Sequence, residues 1–375
     1  MAGFTRTVVV DSTKTGYPHT IQDGIALLKG LGGTVYVERG LYEIAEPILI
    51  PSDTKVIGSK MAGVWVKNPM ESAFKNADHY NGNTGIELAG FKLVVDELAT
   101  PYQAHLVYFR NTDNCKIDNL EITVAQDGQS QGIDQSSDLF AAILLYSDIH
   151  SYDTIISNCD IHDYGRIFMG IGGYGIGIMV SGAGYSIGHV IRNNRIKQTI
   201  GGIYTHNAGE ISVSGNKIYD TIQNNGILME KCDSSQVQGN IIVTSEGHGI
   251  YLSGCKSNTV TGNTVNDNEL SGIKTRFYGE NVGDEYNIFA NNVCNFNGGN
   301  GIHLQAGSRY NTLAANSCVK NAACGIRLQD EGEAGAAMNN IITGNVAILH
   351  DGEPGDDLPI SMGHESNVLG QNITK

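Results

Sequence analysis

His206 and Glu230 stand 24 residues apart, Tyr204 and Tyr251 stand 47 apart, and Lys274 and Arg276 follow at a similar step. If one turn of a repeating structure consumes about that many residues, these side chains meet on one face. Together they would supply a base (His206), a phenolic proton donor (Tyr204), a carboxylate to orient the base (Glu230) and cations to hold an acidic group (Lys274, Arg276). That set suits removal of a proton next to a carboxylate, with the charge that develops neutralised by the cations.

The repeat that such a site requires is present. Gly-Ile pairs begin at Gly177, Gly202, Gly226, Gly249, Gly272, Gly301 and Gly325, so their isoleucines are 25, 24, 23, 23, 29 and 24 residues apart. A period in this range means stacked solenoid coils. A second landmark keeps the step: Asn194, Asn216, Asn240, Asn263, Asn292, Asn316 and Asn345 each follow an apolar residue by three positions. These asparagines are expected to take up the turn conformation and to bond to one another along the stack. Each period holds two or three apolar/polar alternations broken by Gly, Asn, Asp and Ser, too little chain for a helical crossover. Short strands pairing in parallel with the next coil are expected, as in a parallel β-helix.

At the N-terminus, Thr20 leads into an amphipathic stretch from Ile21 to Leu31, followed by the run GGTVYVERGLY at residues 32–42. This run resembles the N-terminal coil of the pectate-lyase-like superfamily, with Glu38-Arg39 where a proline region is usual. The resemblance implies an all-β chain: a single-domain right-handed parallel β-helix of about ten coils with a short N-terminal capping helix. Residues 1–60 would form the cap and entry coil, and residues 61–375 one continuous β-helix. The superfamily holds lyases, epimerases, hydrolases and viral adhesion proteins, so the fold leaves the chemistry open.

Strand alternation places each Gly-Ile isoleucine, and the residue two after it, inside. The first and third residues after it form two outward columns. One runs Tyr108, Leu144, Met179, Tyr204, Leu228, Tyr251, Lys274, His303, Arg327; the other runs Arg110, Tyr146, Ser181, His206, Glu230, Ser253, Arg276, Gln305, Gln329. With coils ~4.8 Å apart, His206 and Glu230 become neighbours. His206, Tyr204 and Glu230 are the catalytic candidates; Arg276, Lys274, Tyr251, Tyr146, Arg110, His303 and Arg327 are the substrate-binding candidates. Segments 97–103, 126–140 and 162–175 precede this strand in successive coils and would wall a groove along one edge.

The columns also resemble alginate (mannuronan) C5-epimerases, in which a DPHE motif occupies this strand and the following coil carries an acid. Here the run is Tyr204-Thr205-His206-Asn207, which keeps the histidine alone, with Glu230 as the acid. The resemblance implies a lyase or C5-epimerase acting on a uronate-containing glycan. Two other classes fit the residues. A glycoside hydrolase or fructosyl transferase would need a second carboxylate beside Glu230, drawn from Asp134, Asp138 or Asp163. A non-catalytic glycan-binding or virion adhesion protein would use Tyr204 and Tyr251 as a stacking platform.

Bulk properties set further bounds. The chain has 375 residues, 48 glycines, 41% apolar content and a net charge of −15. That balance argues against a nucleic-acid partner, since phosphate binding needs a basic face. No apolar run reaches the length of a membrane span, and the start MAGFTRTVVV lacks the basic-then-apolar plan of a signal peptide. Either the chain is not exported by that route, or it is extracellular and its leader lies outside this sequence. The seven cysteines, with no CxxC spacing, read as small buried thiols, Cys232 and Cys255 stacking on each other. No cofactor is implied, although Asp134 and Asp138 offer hard oxygen ligands for Ca2+. The expected partner is a polysaccharide or oligosaccharide, with no membrane, and open stack ends favour a homo-oligomer.

Overall fold

The structure, a computed structural model, describes residues 6–67, 72–95, 105–124, 139–164, 174–279, 283–329, 335–349 and 359–374. Of the expected groove walls, segment 97–103 and nearly all of 126–140, including Asp134 and Asp138, lie outside the described residues, as does most of 162–175. The chain divides into two compact units, residues 1–199 and 200–375.

The first unit opens with the strand Thr7–Val10, followed by the helix Ile21–Leu27, whose N-terminus is capped by the Thr20 hydroxyl accepting from the Asp23 amide at 3.0 Å. The helix ends before the expected Leu31 because Lys29 and Gly30 both turn to positive φ, 54° and 68°. Strands then pair in parallel, coil on coil. Along one face Val35, Val56, Leu88, Ile117, Ile156 and Ile191 stand in register, all fully buried. A second face pairs Gly40–Ile44, Ala62–Val66, Lys92–Val95, Glu121–Val124, Asp160–His162 and Arg195–Lys197. The third face carries His105–Arg110 and Leu139–Ser147, with Tyr108 opposite Leu144 and Arg110 opposite Tyr146, the expected counterparts of the later Gly-Ile strands.

The second unit repeats the plan more regularly. Val213, Val237, Val260, Phe289, Leu313 and Ile342 form one inward column, each with no exposed surface. The Gly-Ile strands Gly201–Gly209, Ile227–Asp233, Ile250–Ser253, Ile273–Arg276, Ile302–Leu304 and Ile326–Leu328 pair in order. Their glycines are required by space. A Cβ on Gly226 would stand 2.3 Å from Ile242 Cγ2, and one on Gly249 2.1 Å from Val265 Cγ1. The core of the neighbouring strand therefore excludes any side chain at these positions.

The asparagine ladder forms, with Asn216, Asn240, Asn263, Asn292, Asn316 and Asn345 linked amide to amide at 2.9–3.0 Å. The turn conformation, however, falls on the residue before each of them. Gly215, Gly239, Gly262, Asn291, Ala315 and Gly344 carry the positive φ. The ladder asparagine is thereby free to point inward and bond. Two further ladders, not marked by the Gly-Ile repeat, run through Asn258, Asn287, Asn311, Asn340 and Asn367 and through Asn268, Asn297 and Asn321. All seven cysteines are buried thiols outside any disulfide. No helix among the described residues is long and apolar enough to cross a membrane.

Candidate functional site

The two outward columns of the second unit have the expected register. Tyr204, Leu228, Tyr251, Lys274, His303 and Arg327 align, and beside them His206, Glu230, Ser253 and Arg276. Glu230, Tyr251, Ser253, Arg276, Phe277, Tyr278 and Gly279 line a cavity of about 500 Å³. Lys274 sits beside this cavity, with its ammonium 5.8 Å from the Tyr251 ring centroid.

One expected contact is replaced. Although His206 stands opposite Glu230 in the register, Glu230 Oε2 accepts the hydroxyl proton of Tyr204 at 2.5 Å, and no hydrogen bond joins Glu230 to the imidazole. The phenol is the longer side chain and reaches diagonally across the strand pair, a contact open to long aromatic side chains on a parallel face. The His206 ring lies instead between Tyr204 and Tyr278, its centroid 6.3 Å from each. Glu230 is therefore partner to the phenol and does not fix the histidine tautomer.

The electrostatics follow from this arrangement. Burial, more than any other cause, holds the His206 pKa below its ordinary value; Lys231 pushes the same way and Glu230 opposes. The imidazole is thus neutral at neutral pH and able to accept a proton. Tyr204, 8% exposed, is raised far above the usual phenol range by burial and then by the hydrogen bond and charge of Glu230. It keeps its proton, and its hydroxyl donates to Glu230. Lys274 is lowered, chiefly by burial and then by the adjacent Arg276. His303 is lowered to about 4 by burial and by Lys274 and Arg327, so it adds no charge. Arg276 and Arg327 are exposed.

The remaining candidates fall elsewhere. Arg110 and Tyr146 are register neighbours in the first unit, where the Arg110 guanidinium pairs with Asp148 and lies 5.8 Å from the Tyr146 ring centroid. Its charge is already matched. Asp163, the one described acid proposed to assist Glu230, also belongs to the first unit, where it binds His162 Nδ1 at 2.9 Å. Among the described residues no three His, Cys, Asp or Glu side chains are grouped to hold a metal.

Several residues of the site escaped sequence reasoning. Phe277 and Tyr278 lie just past Arg276, where the sequence reads as an insertion, and Lys231 occupies a corner with φ 49°. Lys231 Nζ stands 4.3 Å from the centroid of the Tyr278 ring and holds it beside His206. His248 packs on Tyr251 with ring centroids 5.2 Å apart. The Tyr278–Lys231 pair was not findable from spacing, since neither residue falls on an outward column.

Residues 105–282 match the family described as "Right handed beta helix region". No curated protein matches the sequence. Solved structures of similar fold include the A-module of the Azotobacter vinelandii mannuronan C-5 epimerase AlgE4, at 14% identity over 94% of this chain and 90% of that one, TM-score 0.55. A PL6 alginate lyase in complex with a trisaccharide is similar at 12% identity over 99% and 85% of the two chains, TM-score 0.61. The Dettilon tailspike protein is similar at 17% identity over 98% and 68%, TM-score 0.57. The fold is thereby set: the chain is a right-handed parallel β-helix. At these identities the likeness is one of fold.

Proposed function

We propose that the cavity binds a uronate-bearing polysaccharide and that the chain acts on it as a lyase or C5-epimerase. The observation that carries this reading is the pairing of a neutral imidazole with a phenol that holds its proton, His206 and Tyr204, on the face that carries the cations Lys274 and Arg276 three coils further along. In this reading Arg276 and Lys274 hold the sugar carboxylate. His206 removes the C5 proton, leaving an enolate-like intermediate whose charge the two cations stabilise. In a lyase the C4–O bond then breaks, C4 and C5 become doubly bonded, and the Tyr204 phenol protonates the departing oxygen. In an epimerase Tyr204 gives its own proton to C5 from the opposite face, and the enzyme is reset when His206 releases the proton it took and the phenolate regains one.

The epimerase and lyase among the structural neighbours support this reading, as does the scarcity of carboxylates. Glu230 is the single acid among the described residues that line the cavity. A hydrolase needs two acids at a fixed separation. A purely binding role is the second reading, favoured by the rings of Tyr251, Phe277 and Tyr278 in the cavity wall and by the tailspike likeness.

The test is a screen of the purified protein against uronate and neutral polysaccharides, following ultraviolet absorbance of unsaturated uronates, product mass and, for products of unchanged mass, C5 configuration by NMR. An absorbing product or an inverted C5 is expected, and His206→Ala should remove it while far-ultraviolet circular dichroism stays unchanged. Saturated fragments would transfer the assignment to hydrolysis. Binding with no product on any polymer would favour the second reading.

A further inference from the structure

Behind the Arg276 backbone lies a buried acid that the proposed chemistry does not use. Asp284 is fully buried. It occupies an inward column that holds Cys232 and Cys255 in the preceding coils and Ser308 and Ala337 in the following ones, one position before the bridged residues Asp233, Lys256, Glu285, Arg309 and Met338. Every other member of that column is small and uncharged. A carboxylate in such a place is costly unless hydrogen bonds compensate it.

Asp284 has that compensation in part, since burial still lifts its pKa to about 8, and the direction of its hydrogen bonds is informative. Oδ1 accepts the Cys255 amide at 2.8 Å and Oδ2 accepts the Arg276 amide at 2.8 Å. Its own backbone carbonyl is held by the Arg309 amide at 3.0 Å and the Asn311 side chain at 2.9 Å, so the residue is anchored in the adjoining ladder. Arg276 is the last residue of its strand, and the next three residues line the cavity. The carboxyl group therefore grips the chain where it leaves the sheet to form the cavity wall.

We propose that Asp284 is a positioning residue that fixes the origin of the Arg276 guanidinium, and through it the preference of the cavity for acidic over neutral sugars. The proposal rests on the reading of the cavity as a uronate site. Asn at 284 keeps the shape but turns an amide donor toward backbone donors, so one of the two grips is lost. Arg276 then keeps its charge but not its placement, and a displacement of this kind weakens recognition of a carboxylate by about tenfold.

The experiment compares calorimetric binding of a mannuronate tetrasaccharide and of its carboxyl-reduced, neutral counterpart to the wild type, D284N, D284S and R276Q. D284S places in this coil the residue that the column already holds at Ser308, and covers the case in which D284N folds poorly. The expected result is about tenfold weaker binding of the acidic sugar by both Asp284 variants, with the neutral sugar bound as in the wild type. Unchanged acidic binding in a folded Asp284 variant overturns the proposal. Equal loss for both sugars overturns it too, because Asp284 would then serve the fold alone. If the wild type does not prefer the acidic sugar, or R276Q binds it normally, the uronate reading itself falls and takes the proposal with it.

Discussion

The two units solve one problem in different ways, and the difference explains where the site could be built. At the corner that leads into the second face, the first unit fills its inward column with Phe91, Leu120 and Cys159 before Asn194, packing apolar side chains. The second unit fills the same kind of corner with asparagine in every coil, each amide bonded to the next coil and most also to a backbone carbonyl. Apolar corners tolerate variation in size and loop length, since burial is non-directional. An amide ladder requires each coil to sit in one register, because a slipped amide leaves buried donors unpaired. The regular unit is also the one in which His206, Glu230 and Arg276 stand in line.

The largest effect that separates the two is expected at the ladder. Asn263 accepts the backbone and side-chain N–H of Asn240 at 2.9 and 3.0 Å and donates to the Val237 carbonyl at 2.9 Å and to Asn292 at 3.0 Å. Asn263→Ala strands two or three of these groups in a dry interior, at ~1–3 kcal/mol for each. Chemical unfolding should show a loss of roughly 4–6 kcal/mol. Cys159→Ala in the first unit removes a small apolar group and should cost about 1 kcal/mol. Equal losses would mean that the ladders do not hold the second unit in register.

Much of this was legible in the sequence, for a physical reason. The Gly-Ile and Asn landmarks recur because each position has one solution: no room for a Cβ at Gly226 or Gly249, and a fixed amide partner at Asn240 or Asn263. Once the period is known, strand alternation predicts the columns, and the register of Tyr204, His206, Glu230 and Arg276 follows. Side-chain reach does not follow from register. That Glu230 would choose the Tyr204 phenol over the imidazole opposite it depends on length and rotamer. The second and third ladders were hidden because their corners carry residues as unlike as Ser257, Tyr286, Tyr310 and Asp267 at positive φ, which leaves no repeated letter ahead of the asparagine. The wall at Phe277 and Tyr278 was hidden because it departs from the repeat.

Acid should affect both units through buried histidines, to differing depth. In the first unit His189, lowered by burial to about 4, accepts the Thr154 amide on Nδ1 at 3.1 Å. In the second, His248 is lowered to about 3, first by burial and then by Lys274 and His303, and accepts the Ser271 amide on Nδ1 at 3.0 Å. Both are neutral when folded, and the unfolded chain takes up their protons near pH 6.5. The stability they contribute is therefore complete above about pH 6.5 and is lost as the pH falls toward 4 for His189 and 3 for His248, at ~1.4 kcal/mol per pH unit for each group. Asparagine supplies the same acceptor without the titration. His248→Asn should flatten the acid decline of stability down to about pH 3 and His189→Asn down to about pH 4, as followed by urea unfolding between pH 7 and 4. A decline unchanged by either substitution would place the sensitivity elsewhere.

The smallest effect should fall on the outward cations, and it tests whether the first unit takes part in binding. Arg276 is exposed in a cavity wall, and its side chain is paired with no carboxylate among the described residues. Arg110 occupies the corresponding column of the first unit, but Asp148 already pairs with its guanidinium. A cation so matched attracts an acidic ligand weakly, because its carboxylate partner repels what it attracts. Arg276→Gln should weaken binding of an acidic oligosaccharide by about tenfold or more, the cost of a lost charge-assisted hydrogen bond. Arg110→Gln should change it by less than about twofold. If Arg110→Gln instead matches Arg276→Gln, the acidic chain engages the first unit as well, and Asp148 must give up its arginine when the ligand arrives.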